Sequence, residues 1–241
     1  MNRLVVNGCS YMSMYDLGDG HTDLAKKLNI ATAESLAIAG ASNSRIIRTT
    51  LKDSYTTKDK TFYLIGLSFL NREEFPINAD RDPFEGRWLS TQHINIQNYY
   101  YSVDKKCLPT WTSEDSKIII ELKNKIEIDS IEDRLEHLMY QLLSMINDLI
   151  SRGHQVLVFR QPEDSYANCL DTAQFAQLKN CKNIVNGLSW AAVPWQIDNG
   201  ARFNQTLLNP APGTEPIIPG EHELLNDFLY DYILKNHILE G

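Results

Sequence analysis

The sequence has no apolar stretch near the about 20 residues needed to cross a bilayer. Nothing ahead of the strand-like run at residue 4 has the charged, apolar and small-residue order of an export signal. A chain that stays in the cytoplasm, without a membrane partner, is therefore expected. Basic residues are scarce: 23 Lys and Arg stand against 31 Asp and Glu, a net charge of −8, and no basic run stands out. Neutralising phosphates needs a basic face, so a nucleic-acid partner is not expected. The four cysteines (Cys9, Cys107, Cys169, Cys181) make no CxxC pair and no metal-like spacing with histidine, and read as free thiols packed as small hydrophobes. Glycine is too sparse for a dinucleotide fingerprint: Asn7-Gly8-Cys9-Ser10 has one, and Gly18 and Gly20 come too late. No Gly-Lys-Ser/Thr forms a phosphate loop. No cofactor and no metal are expected.

What is present is an ordinary globular composition, 43% hydrophobic and 22% charged over 241 residues, enough for one sizeable core. Short apolar runs alternate with longer helix-like segments, the pattern of a parallel sheet covered on both faces. Leu4–Val6 reads as the first strand, Ser35–Ala39 as the second, Thr61–Leu67 as the third and Gln155–Phe159 as the fourth. Asn183–Val185 reads as a weak fifth. Helical spacing appears over Thr22–Leu28 and Ser42–Leu51, the latter with Ser42 or Asn43 as N-cap. The longest apolar stripe runs from Leu135 to Ile150, after a capping-box start at Ser130 and Asp133, and stops at Arg152-Gly153. A last helix carries Leu225, Phe228, Leu229, Tyr232 and Ile233. Residues 76–129, with Trp88, Trp111 and Tyr99-Tyr100-Tyr101, break this rhythm and read as an insertion or lid in one domain spanning 1–241. The expected architecture is a three-layer α/β/α sandwich with a parallel, flavodoxin-like sheet.

In such sheets ligands sit beyond the carboxyl ends of the strands, where the first strand delivers Ser10. Gly40-Ala41-Ser42-Asn43 follows the second strand, Gly66-Leu67-Ser68 the third, and Pro219-Gly220-Glu221-His222 opens the last helix. In this order the segments resemble the SGNH (GDSL-type) hydrolases. Gly8-Cys9-Ser10-Tyr11 with Gly40-to-Ile46 is further similar to bacteriophage proteins of that fold, whose resemblance implies a host-cell or virion location.

The resemblance implies a serine esterase acting on an O-acyl group of a glycan or small molecule. Ser10 would be the nucleophile, His222 the general base, and Gly40 with Ser68 or Asn43 the oxyanion donors. The sequence departs from the family at three points. Cys9 stands where the family has aspartate, Ser68 where it has asparagine, and Pro219 where it has the aspartate that orients histidine. A second register puts Glu215-Pro216 at the family's His-Pro. The alternative reading is a non-catalytic module of the same fold that binds carbohydrate or a partner protein. Trp190 and Trp195 offer flat faces of the kind that stack on sugars, or pack in the fold. Asp198 in the same loop is one candidate to orient His222 in place of the missing aspartate, or is plain loop polarity. His21 is a crevice-side partner or plain loop polarity. Arg72, with Glu73 and Glu74, is an ion-pair anchor or a substrate clamp. Ser10 itself has a structural reading, closing the strand by bonding the turn backbone.

Overall fold

The structure, a computed structural model, describes residues 1–9, 12, 13, 15, 19–38, 41–68, 70, 74–76, 88–90, 131–160, 180–185 and 221–240. An unbroken apolar strand can be hidden only when both faces of its sheet are covered. β1 (Arg3–Gly8) and β3 (Thr61–Leu67) are buried at every position. They lie at the centre of a four-stranded sheet in the order β2-β1-β3-β6, completed by β2 (Thr32–Ser35) and β6 (Gln155–Arg160). All three pairings are parallel. Beyond β6, Ile184 makes a single parallel bridge to Val158, so the expected fifth strand is one rung long. This is the doubly wound order, which reverses direction between β1 and β3.

Side chains alternate across the sheet. Val5, Tyr63, Ile65, Val156 and Val158 face one layer, made by α2 (Asn43–Thr56) and α3 (Ile131–Ser151). Leu4, Val6, Phe62, Leu64, Leu157 and Phe159 face the other, made by α1 (Gly20–Lys27) and α4 (Glu221–Lys235). The α/β/α sandwich expected from the alternation is therefore the fold. β4 (Glu74–Pro76) and β5 (Trp88–Ser90) pair antiparallel as a separate two-stranded sheet. Most of the 76–129 segment lies outside the described residues.

Helix ends follow the local chemistry. Ser42 caps α2, its hydroxyl accepting from the Arg45 N–H at 3.1 Å. α3 ends with Gly153 at φ 82, its N–H donating to Ile150 O while His154 N–H reaches back to Leu149 O. A left-handed residue followed by that pair of bonds is a Schellman stop, the position where glycine is least strained. Asn29 and His237 close α1 and α4 with the same pair of bonds.

The second strand departs from expectation. It spans Thr32–Ser35, earlier than the apolar Ser35–Ala39 run. An edge strand has one solvent-facing side, so Thr32 and Glu34 are exposed and carry no apolar signal. The run after it still follows β1, with Leu36 N–H on Val6 O and Ile38 N–H on Gly8 O.

Candidate active site

β1 and β3 end side by side at the reversal point, in register at Gly8 and Gly66. A Cβ on Gly8 would lie 2.8 Å from the Gly66 carbonyl oxygen and would also strike Met12, so this position requires glycine. The next residue, Cys9, is fully buried, and its carbonyl accepts from Ser13 N–H at 3.0 Å in a turn of helix. The connection from strand to turn is thus packed from beneath.

Asn7, just before Gly8, is fully buried in an otherwise apolar strand. Its Nδ2 faces Ile46 O at 3.0 Å and the Thr49 and Thr50 hydroxyls at 2.9 Å each, and its Oδ1 accepts from Gly8 N–H at 2.9 Å. One side chain therefore fixes both the final residue of β1 and the first turns of α2.

Asn43 does the same for β3. Its Oδ1 accepts from Ser68 N–H at 2.7 Å and its Nδ2 donates to Ser68 O at 3.2 Å. Both residues are buried. Two of the expected oxyanion residues are thereby brought together at the rim, joined through the backbone that leaves β3.

The helix carrying position 222 is tied to the same rim. Tyr15 hydroxyl donates to Asn226 Oδ1, and Asn226 Nδ2 donates to Gly20 O at 3.0 Å. Burial, with the charge of Asp23, holds the Tyr15 hydroxyl well above the usual phenol range, so it stays a donor. Gly20 starts α1 beneath the Tyr15 ring, which a Cβ there would strike. Further along, Lys27 pairs with Asp227 and lies 5.6 Å from the Tyr230 ring centre. Contacts from 226 against 20 to 230 against 27 mean that α1 and α4 run parallel, with both N-termini at the carboxyl edge of the sheet. His222 is in the first turn of α4, one turn before Asn226, and its side chain lies outside the described residues.

Of the remaining expected residues, His21 is buried in the first turn of α1. Glu74 pairs with Arg48 of α2 through two bonds of 3.0 and 2.8 Å, so one of the three charges after β3 is an ion-pair anchor. Ser10, Gly40, Arg72, Trp190, Trp195 and Asp198 lie outside the described residues, as do Pro219 and Glu215. Sequence reading missed Asn7, Tyr15 and Asn226. The signals were present: an asparagine inside an apolar run, and another beside the apolar stripe of α4.

Among the described residues no group of three or more His, Cys, Asp or Glu is placed to hold a metal ion. No described helix is long and apolar enough to cross a membrane. Cys9 and Cys181 are free thiols, the first inside the core.

No protein-family model matches the chain, and no curated protein matches it. Among solved structures it is similar to the crystal structure of a "putative acylhydrolase" from Bacteroides fragilis NCTC 9343, at 11% identity and a TM-score of 0.39. That alignment covers 97% of this chain and 87% of the other.

Proposed function

We propose that the protein is a serine hydrolase of the SGNH type that cleaves an ester, an O-acyl group on a glycan or a small molecule. The observation that carries the reading is the Tyr15–Asn226–Gly20 tie. It fastens the start of α4 to the segment that follows β1, and so supports a reading in which a serine at 10 and a histidine at 222 meet at one rim.

In this reading Ser10 Oγ attacks the acyl carbonyl carbon while His222 takes its proton. The carbonyl oxygen becomes an oxyanion, met by the backbone N–H groups of Ser10 and Gly40 beside the Asn43–Ser68 clamp. Each such donor is worth about 3–4 kcal/mol of barrier when it is held in place. The intermediate collapses, the alcohol leaves with the proton from His222, and water then hydrolyses the acyl-serine by the same route. A histidine in the first turn of a helix has its cation disfavoured by the macrodipole, which keeps it ready to accept a proton near neutrality. With Pro219 in the aspartate position, the carboxylate that in the family orients the histidine and stabilises its imidazolium is absent from that place.

The test is turnover of p-nitrophenyl acetate together with labelling by a fluorophosphonate probe. Both are expected in the wild-type chain, with Ser10→Ala abolishing labelling and lowering turnover by about three orders of magnitude or more. Absence of both signals from a folded wild-type protein would overturn the enzyme reading in favour of a non-catalytic binding module.

A further inference from the structure

A second feature lies in the crevice between α2 and the run that continues β2. It is a groove of about 490 Å³, with Leu36 and Ile38 on one side and Arg45, Arg48, Lys52 and Asp53 of α2 on the other. That volume is within the range of small-molecule sites, about 300–1,000 Å³. Its charge is unlike that of the chain. The sequence carries a net charge of −8, yet three of the four charged side chains lining the groove are cations. Positions 45, 48 and 52 recur at helical spacing, so the three stand in one row about 10 Å long.

Arg45 heads the row and is only 6% exposed, its Nη1 donating to the Leu36 carbonyl at 3.1 Å. A charge held out of water is weakly screened, so its field reaches into the groove. The single carboxylate is engaged away from it: Asp53 accepts from Arg3 at 2.7 and 3.0 Å and from Tyr63 at 2.7 Å. Arg48 is matched by Glu74 through two bonds. With both of those pairs set aside, Lys52 still leaves the wall positive. It is exposed and makes no ion pair among the described residues.

The chemistry narrows the ligand. The row repels a cation. An uncharged molecule leaves the row unanswered, and a bare inorganic ion leaves Leu36 and Ile38 in water. An oxyanion head on a short apolar tail answers both sides: the head accepts charge-assisted hydrogen bonds, and the tail covers the apolar side chains. We propose that the α2–β2 groove binds a small organic oxyanion, a carboxylate or phosphate monoester with an apolar tail. Lys52 and Arg45 meet its charge, and Leu36 and Ile38 its tail. This site uses neither Ser10 nor His222, so its failure and that of the esterase reading are separable.

The experiment is calorimetric titration of the intact protein with hexanoate and hexyl phosphate, at low salt. Hexanol, hexylammonium and inorganic phosphate serve as controls for charge, sign and tail. At least one of the two anions is expected to bind more tightly than all three controls, and which one binds identifies the head group. Lys52→Glu should weaken that binding by about tenfold or more. Lys52→Arg, which keeps the charge, should keep the binding. Lys235→Glu makes the same change in net charge on α4, in the opposite layer, and should leave binding as in wild type. Position 52 is exposed, and melting temperatures within a few degrees of wild type establish that each variant is folded. The proposal is overturned if neither anion binds, or if hexanol or inorganic phosphate binds as tightly as they do. Binding that survives Lys52→Glu would overturn it as well, and so would an equal loss in Lys235→Glu, which would mark a general charge effect.

Discussion

Asn7 is polar at a position whose neighbours Val5 and Val6 are fully buried and apolar. Burying a carboxamide is tolerable only with its partners present, and here they are the Gly8 N–H, the Ile46 carbonyl and two threonine hydroxyls. Asn7→Leu keeps the volume but strands those groups, so a loss of about 2–4 kcal/mol is expected from urea unfolding. Asn7→Asp should cost at least as much, because a carboxylate would then face the Ile46 carbonyl. Asn43→Ala separates stability from position in a different way. It frees the Ser68 backbone at both atoms, and the proposed esterase should lose kcat with little change in KM, since the donors meet charge that develops only in the transition state. A raised KM with kcat unchanged would place Asn43 in ground-state binding instead.

Between elements, the consequential contact joins α4 to the segment after β1 across 211 positions. Tyr15→Phe removes the hydroxyl and leaves Asn226 Oδ1 without its donor, an expected loss of about 1–3 kcal/mol. Paired with Asn226→Ala in a double-mutant cycle, it should show a coupling of about 0.5–3 kcal/mol. Amide exchange in the first two turns of α4 should quicken more than in α3. Exchange that rises uniformly would mean that the tie does not govern that helix end. The elements themselves were readable where burial imposes a period. Thr61–Leu67 is an unbroken apolar strand, the Leu135-to-Ile150 stripe is α3, and Gly153 stops it. β2 was displaced because an edge strand needs no apolar pattern and uses Glu34 to pair with Arg3. Asn226 was overlooked because its partners, Tyr15 and the Gly20 carbonyl, are set by the tertiary register of α4 on α1, which no local spacing encodes.

At the scale of the whole molecule, the two edges of the sheet carry different polar chemistry, and only one was legible. The carboxyl edge announced itself through Ser42, Asn43 and Ser68, residues that end strands and cap helices. The amino edge holds a network no motif marks. Arg3 pairs with Glu34 at 2.6 Å and Asp53 at 2.7 Å, and Tyr63 donates to Asp53 at 2.7 Å. His154 meets the Tyr63 ring edge-on, and its Nδ1 accepts from Thr61 N–H at 3.3 Å. Its charges come from three different elements. Burial raises Asp53, but hydrogen bonds from Arg3 and Tyr63 outweigh it and leave its pKa below the ordinary value, while the Arg3 hydrogen bond lowers that of Glu34. Burial, with the charge of Arg152, depresses His154, whereas burial and the Asp53 hydrogen bond push Tyr63 up. The signs then set the profile. A depressed His154 contributes stability that is complete above its unfolded value near 6.5 and is lost as pH falls below it. Glu34 and Asp53 contribute stability that is complete above their unfolded values of 4.5 and 3.8, and lost below them. Raised Tyr63 contributes stability present below pH 10 and lost above it. Urea midpoints should therefore be flat from about pH 7 to 9, fall in a first step below 6.5 and in a second below 4.5. His154→Gln, which offers an amide oxygen to Thr61 N–H but does not titrate, should erase the first step and leave the second. A first step that persists in that variant would assign it to a different group.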